Sequence, residues 1–303
     1  MTDVLIAVET PEPVPTPLAA EEESRAKRKG VLGFAGWVSA IWLIAVALSA
    51  IFADLLPLPD PQVIDFNIPL PNAPLFTPGH PLGTDEAGRD ILSRLIYGGR
   101  TSLIVALAVL AIGMLIGGAV GLIAGYRRGK TETVVMSVVD IFLAFPALIL
   151  LIAIVAFLGR DLKYVVLGIS LVSIPAFARI SRATTLTFSQ REFVLAATAA
   201  GASKRRIVTR EVLPNVILPL LAFGLLVVGI AIVAEGSLAF LGLAADTTIS
   251  WGGMINGGKQ PLQQDGVIHT AMIPAMMMFL TVLAVNFLGD RFRAAFDVKD
   301  AAL

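Results

Sequence analysis

Few residues in this 303-residue chain could do chemistry, and most of them sit where the chemistry is hard to build. Ala124-Gly125-Tyr126-Arg127-Arg128-Gly129-Lys130-Thr131 fits a relaxed phosphate-binding loop, with Ala in place of the first Gly. Such a loop cradles phosphates only between a β-strand and a helix of a soluble α/β domain. Here a long apolar run precedes it, so we expect no nucleotide there and assign Lys130 and its neighbours to the basic end of a membrane span. The chain has no cysteine and two histidines, His80 and His269. That rules out thiolate sites and leaves too few ligands for a metal cage. No metal and no cofactor is expected in the chain itself, and an intramembrane hydrolase would have little to build on. Asp140 and Glu235 remain as the acids most exposed to membrane depth, where a charge is costly and usually faces a protein interior or a water-filled cavity. Their functional reading is polarity or a gate on a translocation path. The bland reading is helix-to-helix hydrogen bonding, with Asp140 near the cytoplasmic side and Glu235 toward the outer half.

Those acids have to be positioned by membrane helices. Hydrophobic residues make up 56% of the chain and charged residues 15%, with a mean hydropathy of +0.82. A soluble protein with so few charges could not cover its surface. Six segments are apolar for about the 20 residues that a bilayer demands. They run from Val31 to Ala53, Thr101 to Tyr126, Thr133 to Gly159, Tyr164 to Arg182, Val212 to Leu241 and Gly266 to Gly289. The expected fold class is all-α and integral to the membrane. With the N-terminus inside, 17 of the 23 basic residues fall on the cytoplasmic side and 6 outside, which predicts cytoplasmic termini at both ends. Residues 1–30, with prolines at 11, 13, 15 and 17, are expected to form a disordered cytoplasmic tail. Its basic cluster, Arg25 and Lys27 to Lys29, would lie against lipid headgroups. Residues 31–100 then hold the first span and an external segment, 101–290 a five-span core with a cytoplasmic loop at 183–214, and 291–303 a second cytoplasmic tail. The lipid bilayer is a partner, and no nucleic acid is expected.

Three local patterns stand out. Gly113, Gly117, Gly121 and Gly125 repeat every fourth residue and so line one helix face, where another backbone can approach closely. That neighbour could belong to the same chain or to a partner subunit. From Asp85 to Tyr97, Ile91, Leu92, Leu95 and Ile96 cluster opposite Asp90 and Arg94, predicting a short amphipathic helix capped by Asp85. It would lie on the outer surface or pack on the bundle, and contact with a substrate-delivering protein is the functional alternative. The third pattern is Glu192 to Asn215, a polar, basic island between apolar runs. Ala196, Ala197, Ala199 and Ala200 favour helix, Gly201 permits a sharp turn, and Lys204, Arg205 and Arg206 follow before the helix stops at Leu213-Pro214. Small residues make this element slim enough to enter a groove on another protein. Composition leaves an ordinary cytosolic loop equally open.

The island resembles the coupling loop of ABC importer permeases, in which two alanines are followed by Gly and, twelve residues on, by Leu-Pro. Here these are Ala196, Ala197, Gly201, Leu213 and Pro214, with Ala202, Ser203, Lys204 and Arg205 in the turn. The resemblance continues through His80-Pro81-Leu82-Gly83-Thr84-Asp85-Glu86-Ala87-Gly88-Arg89-Asp90, Asp140 with Ala144-Phe145-Pro146, Glu235 to Leu243, Ser250-Trp251-Gly252, and Asn286 to Asp290 with Arg293 and Asp297. Over about residues 80 to 297 the chain is similar to the dipeptide, oligopeptide and nickel ABC importer permeases, on the side of the C-type membrane subunit. It departs from the pattern at Leu195, Glu211, Ser137 (where a basic residue is expected) and Asp246-Thr247-Thr248.

The resemblance implies a type I ABC importer permease-like bundle of six spans in a bacterial plasma (inner) membrane, forming half of a pathway for di- or oligopeptides. It implies a homologous second permease, two cytoplasmic ABC ATPase subunits that hold ATP and Mg²⁺, and an external substrate-binding protein. Nickel or another small solute is the alternative cargo. A proton-coupled secondary transporter is the rival mechanism, but it would predict internal repeats and paired intramembrane charges, and the sequence suggests neither.

Overall fold

The first apolar run forms α1 (Gly33–Ile51), a 19-residue helix that exposes most of its apolar side chains and is fixed at two points. Within the span, the Trp42 indole donates to Thr281 Oγ1 at 3.2 Å. At the C-terminal end of α1, Arg100 donates to the carbonyls of Ala50 and Ile51, covering groups that a helix C-terminus leaves unpaired. The same guanidinium pairs with Asp54 at 2.9 Å, and Tyr97 Oη donates to Asp54 as well. The Arg100 bond, then that of Tyr97, holds the exposed Asp54 carboxyl below the usual carboxylate range. The computed structural model describes residues 33–64, 71–243, 245, 248–264 and 267–300, without the side chains of 264 and 295–300. The expected tail over residues 1–30, and Asp246 and Thr247, lie outside the described residues.

Among the described residues every extended element is a helix, apart from bridges pairing Thr77 with His80 and Thr84 with Asp90 in the outer loop. After α1 come α2 (Ile91–Arg127), α3 (Gly129–Ala144), α4 (Ala147–Leu158), α5 (Leu162–Phe188), α6 (Glu192–Ala199), α7 (Lys204–Leu243), α8 (Trp251–Gly257), α9 (Lys259–Gln264) and α10 (His269–Asp300). Among the described residues five are long and apolar enough to cross a membrane, and the bent pair α3 and α4 passes the same test together, giving six if the pair is one span.

Six expectations change. The second span starts at Ile91 rather than Thr101, so the predicted Asp85–Tyr97 helix is the outer end of α2. Its cap is Asp90, whose carboxylate accepts from the amide of Ser93 at 2.7 Å. Asp85 instead folds the preceding turn, accepting from the amides of Ala87 and Arg89 and pairing with Arg89 and Arg94. The third span is broken, with an 84° bend between α3 and α4. Pro146 forces Phe145 into extended backbone (φ −81°, ψ 134°) and ends the helix there. The fourth span, expected from Tyr164 to Arg182, runs 27 residues to Phe188 with Pro175 inside it. Finally, the helix does not stop at Leu213-Pro214. A π-helical turn over Ile207–Val212 leads straight into the helix from Leu213, with Pro214 in its first turn, where an amide proton is not needed. The last helix likewise continues past Gly289 to Asp300, through much of the segment expected to be a tail.

The core lies where α2, α5 and α7 meet, around Val105, Val109, Phe177, Val216, Leu220 and Ile232, with Phe177 and Phe223 edge-to-face at 5.1 Å. The glycine stripe makes this contact possible. All four glycines face α5 of the same chain. A Cβ on Gly117 would stand 2.4 Å from the Ile174 carbonyl oxygen, on Gly121 2.2 Å from that of Ala178, and on Gly125 2.8 Å from that of Arg182. Ser181 Oγ donates across the contact to the Gly118 carbonyl at 2.6 Å. Gly121→Val is therefore expected to lower stability by about 3 kcal/mol, since overpacking against backbone cannot be relieved by a rotamer change. Gly118→Ala, whose Cβ would meet only Leu220 at 3.6 Å, should be tolerated. Thermal unfolding of the two variants in detergent checks the contrast.

Candidate functional site

The short helix α6 follows Phe188 after a three-residue turn and ends in a tightly specified way. Gly201 has φ +78°, its amide donates to Thr198 O at 3.0 Å, and the amide of Ala202 donates to Ala197 O at 3.0 Å. That is a Schellman cap, with Gly at the position that needs left-handed backbone. Ala197 and Ala202, the two ends of the second of these bonds, are half-buried and pack against the core. Ser203 then caps the next helix, accepting from the amide of Arg206, and the chain enters the π-turn. Val194, Ile207 and Val212 are buried beneath this turn and hold α6 against the root of α7. The outer surface of the element is different in kind. Phe193, Leu195, Ala196, Gly201, Ser203, Lys204, Arg205 and Pro214 are exposed, while Leu213 is half-buried. Residues 192–215 thus form one folded knob with a buried root and an exposed crown of small, apolar and basic side chains.

Two ion pairs lie above the knob, between α3 and α5. Arg182 pairs with Glu132, and Arg179 Nη2 lies 2.7 Å from Asp140 Oδ1. In the sequence Arg179 and Arg182 stand out only as part of the basic excess, and neither pairing is apparent from it. Two acids on one helix and two bases on its neighbour are the available signal. Glu235 is placed differently. It is buried inside the chain at the junction of α2, α7 and α8, with Ser102 Oγ at 3.4 Å and Ser250 as a second donor. Beside it, Trp251 is fully buried and its indole donates to Leu95 O at 2.8 Å, while Gly236 and Gly252 let α7 and α8 touch. Asp140 and Glu235 are therefore not brought together.

In the segment before α2, His80 and Asp90 form a buried pair at 2.9 Å, and His269 meets the Ala73 carbonyl at 3.0 Å. Both histidines bind the outer loop to the bundle. Among the described residues no group of three potential metal ligands occurs. A cleft of about 40 Å³ between Asp85, Arg89, Arg94, Met254 and Thr270 has room for about one water, not for a peptide. The phosphate-loop look-alike is divided between the end of α2 and the start of α3, with Arg128 (φ +49°) and Gly129 (φ +63°) forming the turn.

The described residues thus form a helical bundle with one bent helix pair and a folded knob between α5 and α7. The chain belongs to the family of binding-protein-dependent transport system inner membrane components, whose model matches residues 117–299. These are the membrane permease subunits of ABC importers. The chain is 36% identical over 292 residues to the di/tripeptide transport system permease protein DppC of Pseudomonas aeruginosa, covering 94% of this chain and 93% of that one. It is 39% identical over 223 residues to the glutathione transport system permease protein GsiD of Pectobacterium atrosepticum, covering 73% of each. Among solved structures, an inward-facing MetNI methionine ABC transporter chain has the same fold, with a TM-score of 0.57 at 20% identity, over 67% of this chain and 97% of that one.

The Glu235 junction yields a prediction. Glu235→Gln keeps both serine contacts available and should leave stability within about 1 kcal/mol, whereas Glu235→Leu strands two buried hydroxyls and should cost about 2 kcal/mol or more. Thermal unfolding in detergent separates the two.

Proposed function

We propose that this chain forms half of the translocation pathway of an ATP-driven importer of di- or oligopeptides, in a bacterial inner membrane, with both termini in the cytoplasm. In this scheme a homologous permease forms the other half, two ABC ATPase subunits bind and hydrolyse ATP with Mg²⁺, and an external protein delivers the substrate. The chain itself performs no covalent step. The observation that carries the coupling is the knob at 192–215. Its crown of Ala196, Gly201 and Ser203 is slim and exposed, Lys204 and Arg205 offer charge to acidic partners, and its root is continuous with α7. Closure of the ATPases would push on the crown, and the buried root would pass the motion into α5 and α7. The peptide assignment is supported by a relative named for di- and tripeptides that matches along 94% of the chain. The orientation is supported by the 17-to-6 distribution of basic residues.

The test is reconstitution of the full complex in liposomes with the binding protein, ATP and labelled dipeptide. Uptake should require ATP and survive collapse of the proton gradient. Uptake that follows the proton gradient without ATP would overturn the scheme in favour of a secondary carrier, and nickel uptake without peptide uptake would change the cargo. Gly201→Val is expected to cut uptake about tenfold, because left-handed backbone costs a side chain about 1–2 kcal/mol. The same variant should loosen the link between substrate and ATPase rate, read as ATP hydrolysed per peptide.

A further inference from the structure

The broken third span carries a face that the rest of the chain leaves uncovered. Between Thr133 and Ile149 only Val139 is buried. On α3, Thr133, Ser137, Asp140 and Ala144 follow at i, i+4, i+7 and i+11, so they share one side of the helix, and all four are exposed. This is a small, polar stripe on an otherwise apolar span. Arg179 reaches Asp140 from α5, with 55% of its side chain and 56% of Asp140's exposed. One turn beyond Asp140 the helix breaks at Phe145-Pro146, leaving carbonyls of its last turn without helical donors. An exposed ion pair and a broken backbone are both excluded from hydrocarbon, for independent reasons. This face therefore meets water or protein.

We propose that the stripe of Thr133, Ser137, Asp140 and Ala144, together with Arg179, lines the aqueous route through the cytoplasmic half of the assembled transporter. There Asp140 and Arg179 exchange their mutual bond for the ammonium and carboxylate of a passing peptide. The inference rests on the peptide-importer reading and adds a contact site to it. A self-paired acid and base suit that task, because the face stays nearly neutral when empty and binds a zwitterion weakly enough to release it. Ser137, standing where the family resemblance led us to expect a basic residue, keeps the face at one positive and one negative charge. Small side chains at Ser137 and Ala144 leave room beside the pair.

The natural absence of cysteine makes the test direct, since any introduced thiol is the chain's only one. Ser137→Cys, Ala144→Cys and, as an α1 control, Ile44→Cys are placed singly in the complete complex. Each is treated in inside-out vesicles with a membrane-impermeant maleimide. We expect the first two to react at least about tenfold faster than the control, and to be slowed by a dipeptide added on the cytoplasmic side. In parallel, Asp140→Asn and Arg179→Gln should lower dipeptide transported per ATP by about tenfold, the worth of about one charge-assisted hydrogen bond. Basal ATPase activity should be retained. Labelling no faster than the control would overturn the proposal, as would a disulfide from Ser137→Cys to a cysteine introduced in the second permease, which would place the face in a closed interface. Labelling without peptide protection, together with unchanged transport per ATP in both charge variants, would leave a wetted surface and overturn the substrate contact. A wild-type complex that imports no peptide at all would instead overturn the reading on which the proposal rests.

Discussion

The close approach of α2 and α5 is the constraint on which the other arrangements depend. Four glycines in register bring the two backbones together, and a side chain at Gly117 or Gly121 would meet a carbonyl oxygen of α5 below 2.5 Å. In a bilayer the lipid tails are as apolar as leucine, so helices associate through such packing and through hydrogen bonds, not through exclusion from water. Because α5 is fixed this way, Phe188 and the knob that follows are fixed relative to the turn at Arg128, which donates to Ser189. The same contact sets α5 opposite α3, so that Arg179 and Arg182 meet their acids.

Polar groups in the spans are handled by a second rule. The two acids of the spans are both paired within the chain, one by burial among hydroxyls and one in an exposed ion pair. Glu235 follows the first course, sealed among Ser102, Ser250 and the packed glycines of α7 and α8. Asp140 follows the second. Thus two acids with the same apolar sequence surroundings are put to different use by their neighbours in space.

That difference explains how much was legible in the sequence. The six crossings, the glycine stripe, the turn at Gly201 and the exposed crown at 192–215 all depend on local residue type or on helical period, and each is visible in the string. Boundaries were less visible. Asp85 and Asp90 are both plausible caps, and the choice turns on Arg89 and Arg94 drawing Asp85 into the loop. Leu213-Pro214 looks like a helix end because proline usually is one, yet the π-turn before it carries the chain through. Pro146 and Pro175 are both prolines within apolar runs, but only the first breaks its helix. Pro175 is buried against the core that Phe177 anchors, whereas the surroundings of Pro146 are exposed. The pairings of Asp140 with Arg179 and of Glu235 with Ser102 were not legible, since those partners lie 39 and 133 residues away in sequence.

The continuity of α7 has a mechanical consequence. From Leu213 to Leu238 it is a 26-residue rod of about 39 Å. The π-turn forms an elbow at the end next to the knob, and the Glu235 junction lies near the other end. A rod so placed converts angle into displacement. A tilt of about 5° at the elbow moves the far end by about 3 Å, comparable to the width of a water molecule. In the proposed scheme a slight rocking of the knob is therefore enough to shift the Glu235 end of α7, so that the two ends of the helix respond together.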